Sequence, residues 1–132
     1  MSWLSEVDKV RRRKQEKQKA RKQSLNSELR KHDPMVRGLL QEVAEYLKTV
    51  EAFKAESVSI EFQTSNNFQE GSWSVADARE RCDIVYLQTV DVPRFRVVYI
   101  SGDVFDYSYT RDTSEDGLKN ALKEVLTWRV SL

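Results

Sequence analysis

The chain has 132 residues, 39% of them hydrophobic and 33% charged, with a formal net charge of +1 at neutral pH. That length suits one domain with a single core. Uncharged apolar runs such as residues 97–102 are far too short to span a bilayer, and the one cysteine, Cys82, excludes an internal disulfide and a multi-cysteine metal site.

The near-neutral total hides a division. Residues 1–32 hold 11 Lys/Arg against 4 Asp/Glu, a net of +7, whereas residues 33–132 hold 11 against 17, a net of −6. A basic arm (1–32) joined to an acidic domain (33–132) is therefore expected. The amino terminus has no apolar h-region and meets Glu6 and Asp8 early, so no signal peptide is expected. With no Asn-x-Ser/Thr acceptor, a reducing, cytoplasmic setting is the simplest expectation.

Residues 2–31 are rich in Lys, Arg, Gln, Glu, Ala and Leu and lack Gly and Pro, which predicts a helix. Ser2 or Ser5 suits its N-cap. His32-Asp33-Pro34 predicts its end, because the residue before proline is pushed out of helical geometry and Asp-Pro suits the start of a new helix. A second, amphipathic helix is expected over residues 34–55, with Val36, Leu39, Leu40, Val43, Leu47 and Val50 at three- and four-residue steps.

Strands follow. Val58, Ile60 and Phe62 alternate with polar residues, Ser65-Asn66-Asn67 is turn chemistry, and Glu70-Gly71 offers another break. Trp73 and Val75 predict a further strand, although residues 74–81 also suit a short helix capped by Ser74. Residues 83–89 and 94–100 are β-rich, and Ser101-Gly102-Asp103 predicts a tight hairpin into residues 104–110. A last helix is expected from Thr113 or Ser114, with Asp116 placed for a capping box and Leu118, Ala121, Leu122, Val125 and Leu132 on its apolar face. The expected fold class is α+β. It comprises a long basic N-terminal helix, a second amphipathic helix, an antiparallel meander of four or five strands, and a C-terminal helix packed on the sheet.

The arm is the main functional feature. Lys9, Arg13, Lys17 and Arg21 stand four residues apart, and Arg11, Arg12, Lys14, Lys19 and Lys22 fill the space between. Like charges at that spacing cost a helix roughly 0.2–0.5 kcal/mol per pair, a cost that an external polyanion relieves. Four bases over about 18 Å of helix match the reach of several phosphates on a duplex. The competing reading is a solvated arm, or one lying on an acidic protein surface. Trp3, Leu4, Val7 and Val10 form a small apolar cluster beside the bases. Two turns interrupted by Glu6 and Asp8 are weak for a membrane helix, so the cluster is read as an anchor for a protein partner or a second copy, with membrane binding not expected.

Phe95, Tyr99, Phe105, Tyr107 and Tyr109 alternate along two strands, with Arg94 and Arg96 beside them. On an open face such aromatics stack bases, but residues 94–100 lack the glycine-containing motif of the common RNA-binding sheets, and a core role is expected for them. Catalysis has little support. His32 is expected as a helix C-cap and Cys82 as a small packed residue. Asp77, Glu80 and Asp83, or Asp103 with Asp106, are the only candidate cation ligands, at spacings common in turns. No phosphate-cradling glycine loop, zinc ligand set or nucleophile elbow occurs. Neither a cofactor nor a small-molecule substrate is expected. The functional expectation is a small non-enzymatic binding protein whose basic helix contacts a polyanion, nucleic acid above all, without sequence readout. The alternative is an assembly or adaptor module that docks this helix on an acidic partner or a second subunit.

Overall fold

A computed structural model describes residues 2–49, 60–64, 70–77, 79–88 and 92–131. The order is α1 (Trp3–Thr49), β1 (Ile60–Thr64), β2 (Glu70–Ala76), β3 (Glu80–Leu87), β4 (Arg94–Ser101), β5 (Val104–Tyr109) and α2 (Glu115–Ser131). All strand pairs are antiparallel and sequential, giving a meander in the order β1-β2-β3-β4-β5. The α+β class with an antiparallel sheet is therefore as expected.

The expected helix break is absent. α1 runs through His32, Asp33 and Pro34, so the two expected N-terminal helices are one. Proline removes one N–H from the helix and frees the carbonyl four residues earlier, that of Arg30. Pro34 and Arg30 are both exposed, so that carbonyl lies on the side of the helix open to solvent. On the opposite side Leu25, Leu29, Val36, Leu40 and Leu47 are fully buried at helical spacing. Burial of one such side chain is worth about 1.5–3 kcal/mol, so this stripe outweighs a proline cost of about 3 kcal/mol. His32 accordingly is not a C-cap. It sits mid-helix against the rings of Tyr86 and Phe95, at centroid distances of 5.5 and 5.3 Å. The arm also leaves the body earlier in the chain than residue 32, because Leu25 and Leu29 already belong to the core.

The sheet puts one face against the helices. Trp73, Val75, Cys82, Ile84, Tyr86, Phe95, Val97 and Tyr99 point inward and are buried. α1 lies over β2 and β3, and α2 over β4 and β5. Glu70-Gly71 is not a break: β2 starts there, and a Cβ on Gly71 would lie 2.4 Å from Leu29 Cδ1, so the helix approaches the strand where no side chain intervenes. Residues 74–81 are not a helix. β2 continues to Ala76, and Asp77 turns the chain by accepting from the Arg79 and Glu80 amides at 2.9 and 3.0 Å.

The hairpin expected at residues 101–103 forms with a two-residue turn, Gly102 taking φ +61°. At α2, Ser114 rather than Thr113 is the cap: its hydroxyl accepts the Gly117 amide at 3.0 Å, which leaves Asp116 outside the expected capping box. The expected strand start at residues 57–59, the Ser65-Asn66-Asn67 turn, Val50, the end of the expected second helix at 51–55 and Leu132 lie outside the described residues.

Candidate polyanion-binding surface

The proposed contact residues are all on α1 and all exposed. Every residue from 6 to 24 is exposed, including Lys9, Arg11, Arg12, Arg13, Lys14, Lys17, Lys19, Arg21 and Lys22. Burial begins only at Leu25. Residues 3–24 thus form a helical projection about 33 Å long at 1.5 Å per residue. Its base is held by Leu25 and Leu29 and by the Gln88 amide, which donates to the Ser24 hydroxyl at 3.1 Å. At its tip the Ser5 hydroxyl and amide return to the Ser2 carbonyl.

Helical geometry sorts the bases. Lys9, Arg13, Lys17 and Arg21 drift slowly along one stripe, while Arg12 with Lys19, and Arg11 with Lys22, fall on other sides. The projection is therefore basic around most of its circumference. Like-charge repulsion along the main stripe amounts to about 0.6–1.5 kcal/mol for its three successive pairs. Burying Leu25 and Leu29 contributes about 3–6 kcal/mol at the helix base, so the base stays fixed whatever the tip does.

Trp3, Leu4, Val7 and Val10 are brought together near the tip and left open, at 71, 54, 42 and 49% exposure. On an ideal helix they fall on the side that, further along, carries Leu25, Leu29 and Val36 into the core. The apolar stripe of α1 is thus one line, interrupted by the basic segment.

The aromatic residues do not behave as one core set. Phe95 and Tyr99 are fully buried, but Phe105, Tyr107 and Tyr109 are 62, 52 and 50% exposed. The register explains the split. Ser101 pairs with Val104, so odd positions on β4 oppose even positions on β5. Asp106, Ser108 and Thr110 therefore take the inward side of the hairpin, where Ser108 donates to Glu124 of α2 and the Thr110 hydroxyl accepts the Phe95 amide at 3.0 Å. The three aromatics are turned to the outer face beside Arg96, Val98 and Ile100. With Arg96 and Val98 they line a shallow groove of about 410 Å³. Sequence periodicity missed this strip, although the two-residue turn at Gly102-Asp103 already implies the parity change.

The remaining candidates are dispersed. Burial, with help from Asp83, pushes the Cys82 thiol up to about 12, so it stays protonated. Asp77 is used in its turn, Asp83 pairs with Arg81 at 2.7 Å, and Glu80 pairs with Arg129 of α2 at 2.9 Å. Among the described residues, no group of three or more His, Cys, Asp or Glu side chains converges on a possible metal site, and no helix is long and apolar enough to cross a membrane.

No family model, curated protein or solved structure matches this chain.

Proposed function

We propose that this is a small non-enzymatic binding protein of the cytoplasm whose N-terminal helix contacts a polyanion, with nucleic acid as the chemistry that fits best. The observation that carries this reading is the projection of residues 3–24, a helix exposed throughout its basic segment and fixed at its base by core side chains. A helix with no apolar face along residues 11–22 gains nothing from the body it leaves. Its nine bases gain from phosphates, which charge-assisted contacts hold without reading bases.

The test uses the full chain with Lys9, Arg13, Lys17 and Arg21 changed to Gln, which keeps helix propensity and removes the main stripe. A 20-base-pair duplex should bind the natural protein with a steep salt dependence, and the log–log slope should fall by about 3–4 in the variant, near 0.9 per lost phosphate contact. Equal slopes for the two proteins would sink the reading.

A second reading is favoured by the four exposed anchors. Trp3, Leu4, Val7 and Val10 fit an assembly module that docks its helix on a protein partner or a second copy, with the acidic domain of another chain as the charge-complementary surface. Protein that elutes as a dimer and shows the 260/280 nm absorbance ratio of protein alone without a high-salt wash favours this alternative. Co-purifying nucleic acid favours the first.

A further inference from the structure

The outer face of the β4–β5 hairpin inverts the ordinary logic of an edge strand. β5 directs Ser108 and Thr110 toward the helices and presents Phe105, Tyr107 and Tyr109 to solvent, each at least half exposed. Stability alone favours the opposite arrangement, because three large aromatics gain most where water is excluded. Ser108 and Thr110 gain from hydrogen bonds that compensate only their own burial.

The charge around this strip is positive. Arg96 stands opposite Tyr109 in the register, and Arg94, one inter-residue step further out on the same face, is exposed. The Arg96 Nε is buried with no hydrogen-bond partner among the described residues. The nearest acid on this face, Asp83 opposite Val98, is already held by Arg81. Arg94 and Arg96 also lie at the end of the sheet from which the basic helix leaves, since Leu87 pairs with Arg94 and the adjoining Gln88 bonds to Ser24. The arm and the two arginines thus share one end of the sheet, with the arginines on the face opposite α1.

We propose that this outer face is a stacking platform for single-stranded nucleic acid. The Tyr107 and Tyr109 rings meet edge to face at a centroid distance of 5.6 Å, so the strip offers Phe105 and the open face of the tyrosine pair to one or two unstacked bases, with Arg94 and Arg96 placed for the connecting phosphates. A duplex keeps its bases stacked inside and has nothing to lay on these rings. The proposal rests on the arm reading for the charge that draws the strand in, but it assigns the single-strand preference to a separate surface.

The test measures full-length protein against a 20-nucleotide oligo(dT) and a 20-base-pair duplex at one salt concentration. It compares the natural chain, the Tyr107→Ala/Tyr109→Ala variant and the Lys9, Arg13, Lys17, Arg21→Gln variant. Far-UV circular dichroism checks the fold and light scattering the oligomeric state. Loss of one stacked base costs about tenfold in affinity, so the tyrosine variant should lose at least that for oligo(dT) while binding duplex as before. The arm variant should weaken both ligands. Unchanged oligo(dT) binding in the folded tyrosine variant overturns the platform, as does a natural protein that binds duplex but not oligo(dT), and both results leave the arm reading standing. A tyrosine variant that changes oligomeric state along with oligo(dT) binding also overturns it, by making this face a contact between copies. If the natural protein binds neither ligand, both readings fall.

Discussion

The Trp73 indole N–H donates to Asp33 Oδ1 at 2.9 Å, joining the centre of α1 to the middle of β2. Trp73 is fully buried, and Asp33 accepts its indole N–H from the partly exposed side of α1. Asp33 also receives the Arg37 Nε at 2.8 Å. Burial pushes the Asp33 carboxyl up, but the Trp73 and Arg37 contacts outweigh it and leave the group below its ordinary value of 3.8. A depressed carboxyl contributes stability above its unfolded value, and that contribution is lost as pH falls through the folded value. Asp33→Ala should cost about 1–3 kcal/mol, the desolvation cost of a buried orphaned donor. Asp33→Asn keeps an acceptor, loses only a partly exposed ion pair worth about 0–1 kcal/mol, and should unfold less steeply below pH 3.8. Urea midpoints of both variants decide the matter; an alanine variant as stable as the asparagine one would refute the role given to the indole bond.

Pro34 gives the opposite expectation. It is exposed within α1, and its ring replaces the N–H that would bond the Arg30 carbonyl. Since the helix persists here, alanine at this position restores a bond and relieves a clash without touching the core. Pro34→Ala should raise stability by about 1–3 kcal/mol, the upper bound being the interior proline cost. A lower thermal midpoint would mean that the proline shapes the helix in a way the rest of the fold requires.

His32 supplies a pH dependence nearer neutrality. Burial lowers its pKa below 6.5, with Glu28 opposing and Lys31 adding to the shift. The neutral ring is thus the one the fold prefers. The unfolded chain takes up a proton first as pH falls below 6.5, so stability present above that value is lost toward the lower, folded pKa. His32→Gln loses the ring contacts with Tyr86 and Phe95, and it should be less stable at pH 7.5 yet change less between about pH 7 and pH 5. Parallel pH profiles for the two proteins would assign the titration to another group.

Much of the fold was legible because its signals were local. Alternation in residues 94–100, the Gly102 turn and the α2 periodicity each point to the element that forms. The failures were contests between a local rule and tertiary burial. Asp33-Pro34 is a sound break signal, yet Leu29 against Gly71 on one side and Val36 and Leu40 on the other hold the helix across it. Glu70-Gly71 is a sound turn signal, yet it marks the close approach of α1. The aromatic strip departs from expectation for a different reason: hydrophobic alternation gives a strand's two sides but not which side is inward. Only register supplies that, and here the inward set is Asp106, Ser108 and Thr110. The exposure of the basic segment was legible from composition, because no core stripe passes through it.

The far end of the molecule depends on one ion pair. Arg129, in the last turn of α2, sets Nη2 2.9 Å from Glu80 Oε1, and its Nε lies 3.1 Å from both carboxylate oxygens. Ser101 donates to the same carboxylate at 3.0 Å, so Glu80 ties the start of β3 to the end of β4 and to α2. Its side chain is only 8% exposed, against 22% for Arg129. Removing the arginine strands a charge that water reaches poorly, and Arg129→Met should cost about 2–4 kcal/mol, somewhat below the range for fully buried pairs because Arg129 keeps some solvent. Glu80→Gln/Arg129→Met removes both charges, and the double variant should be more stable than Arg129→Met alone. A double-mutant cycle in urea measures this directly. If the two substitutions add without coupling, the carboxylate is solvated in the absence of its partner and the ion pair does not hold this end of the sheet together.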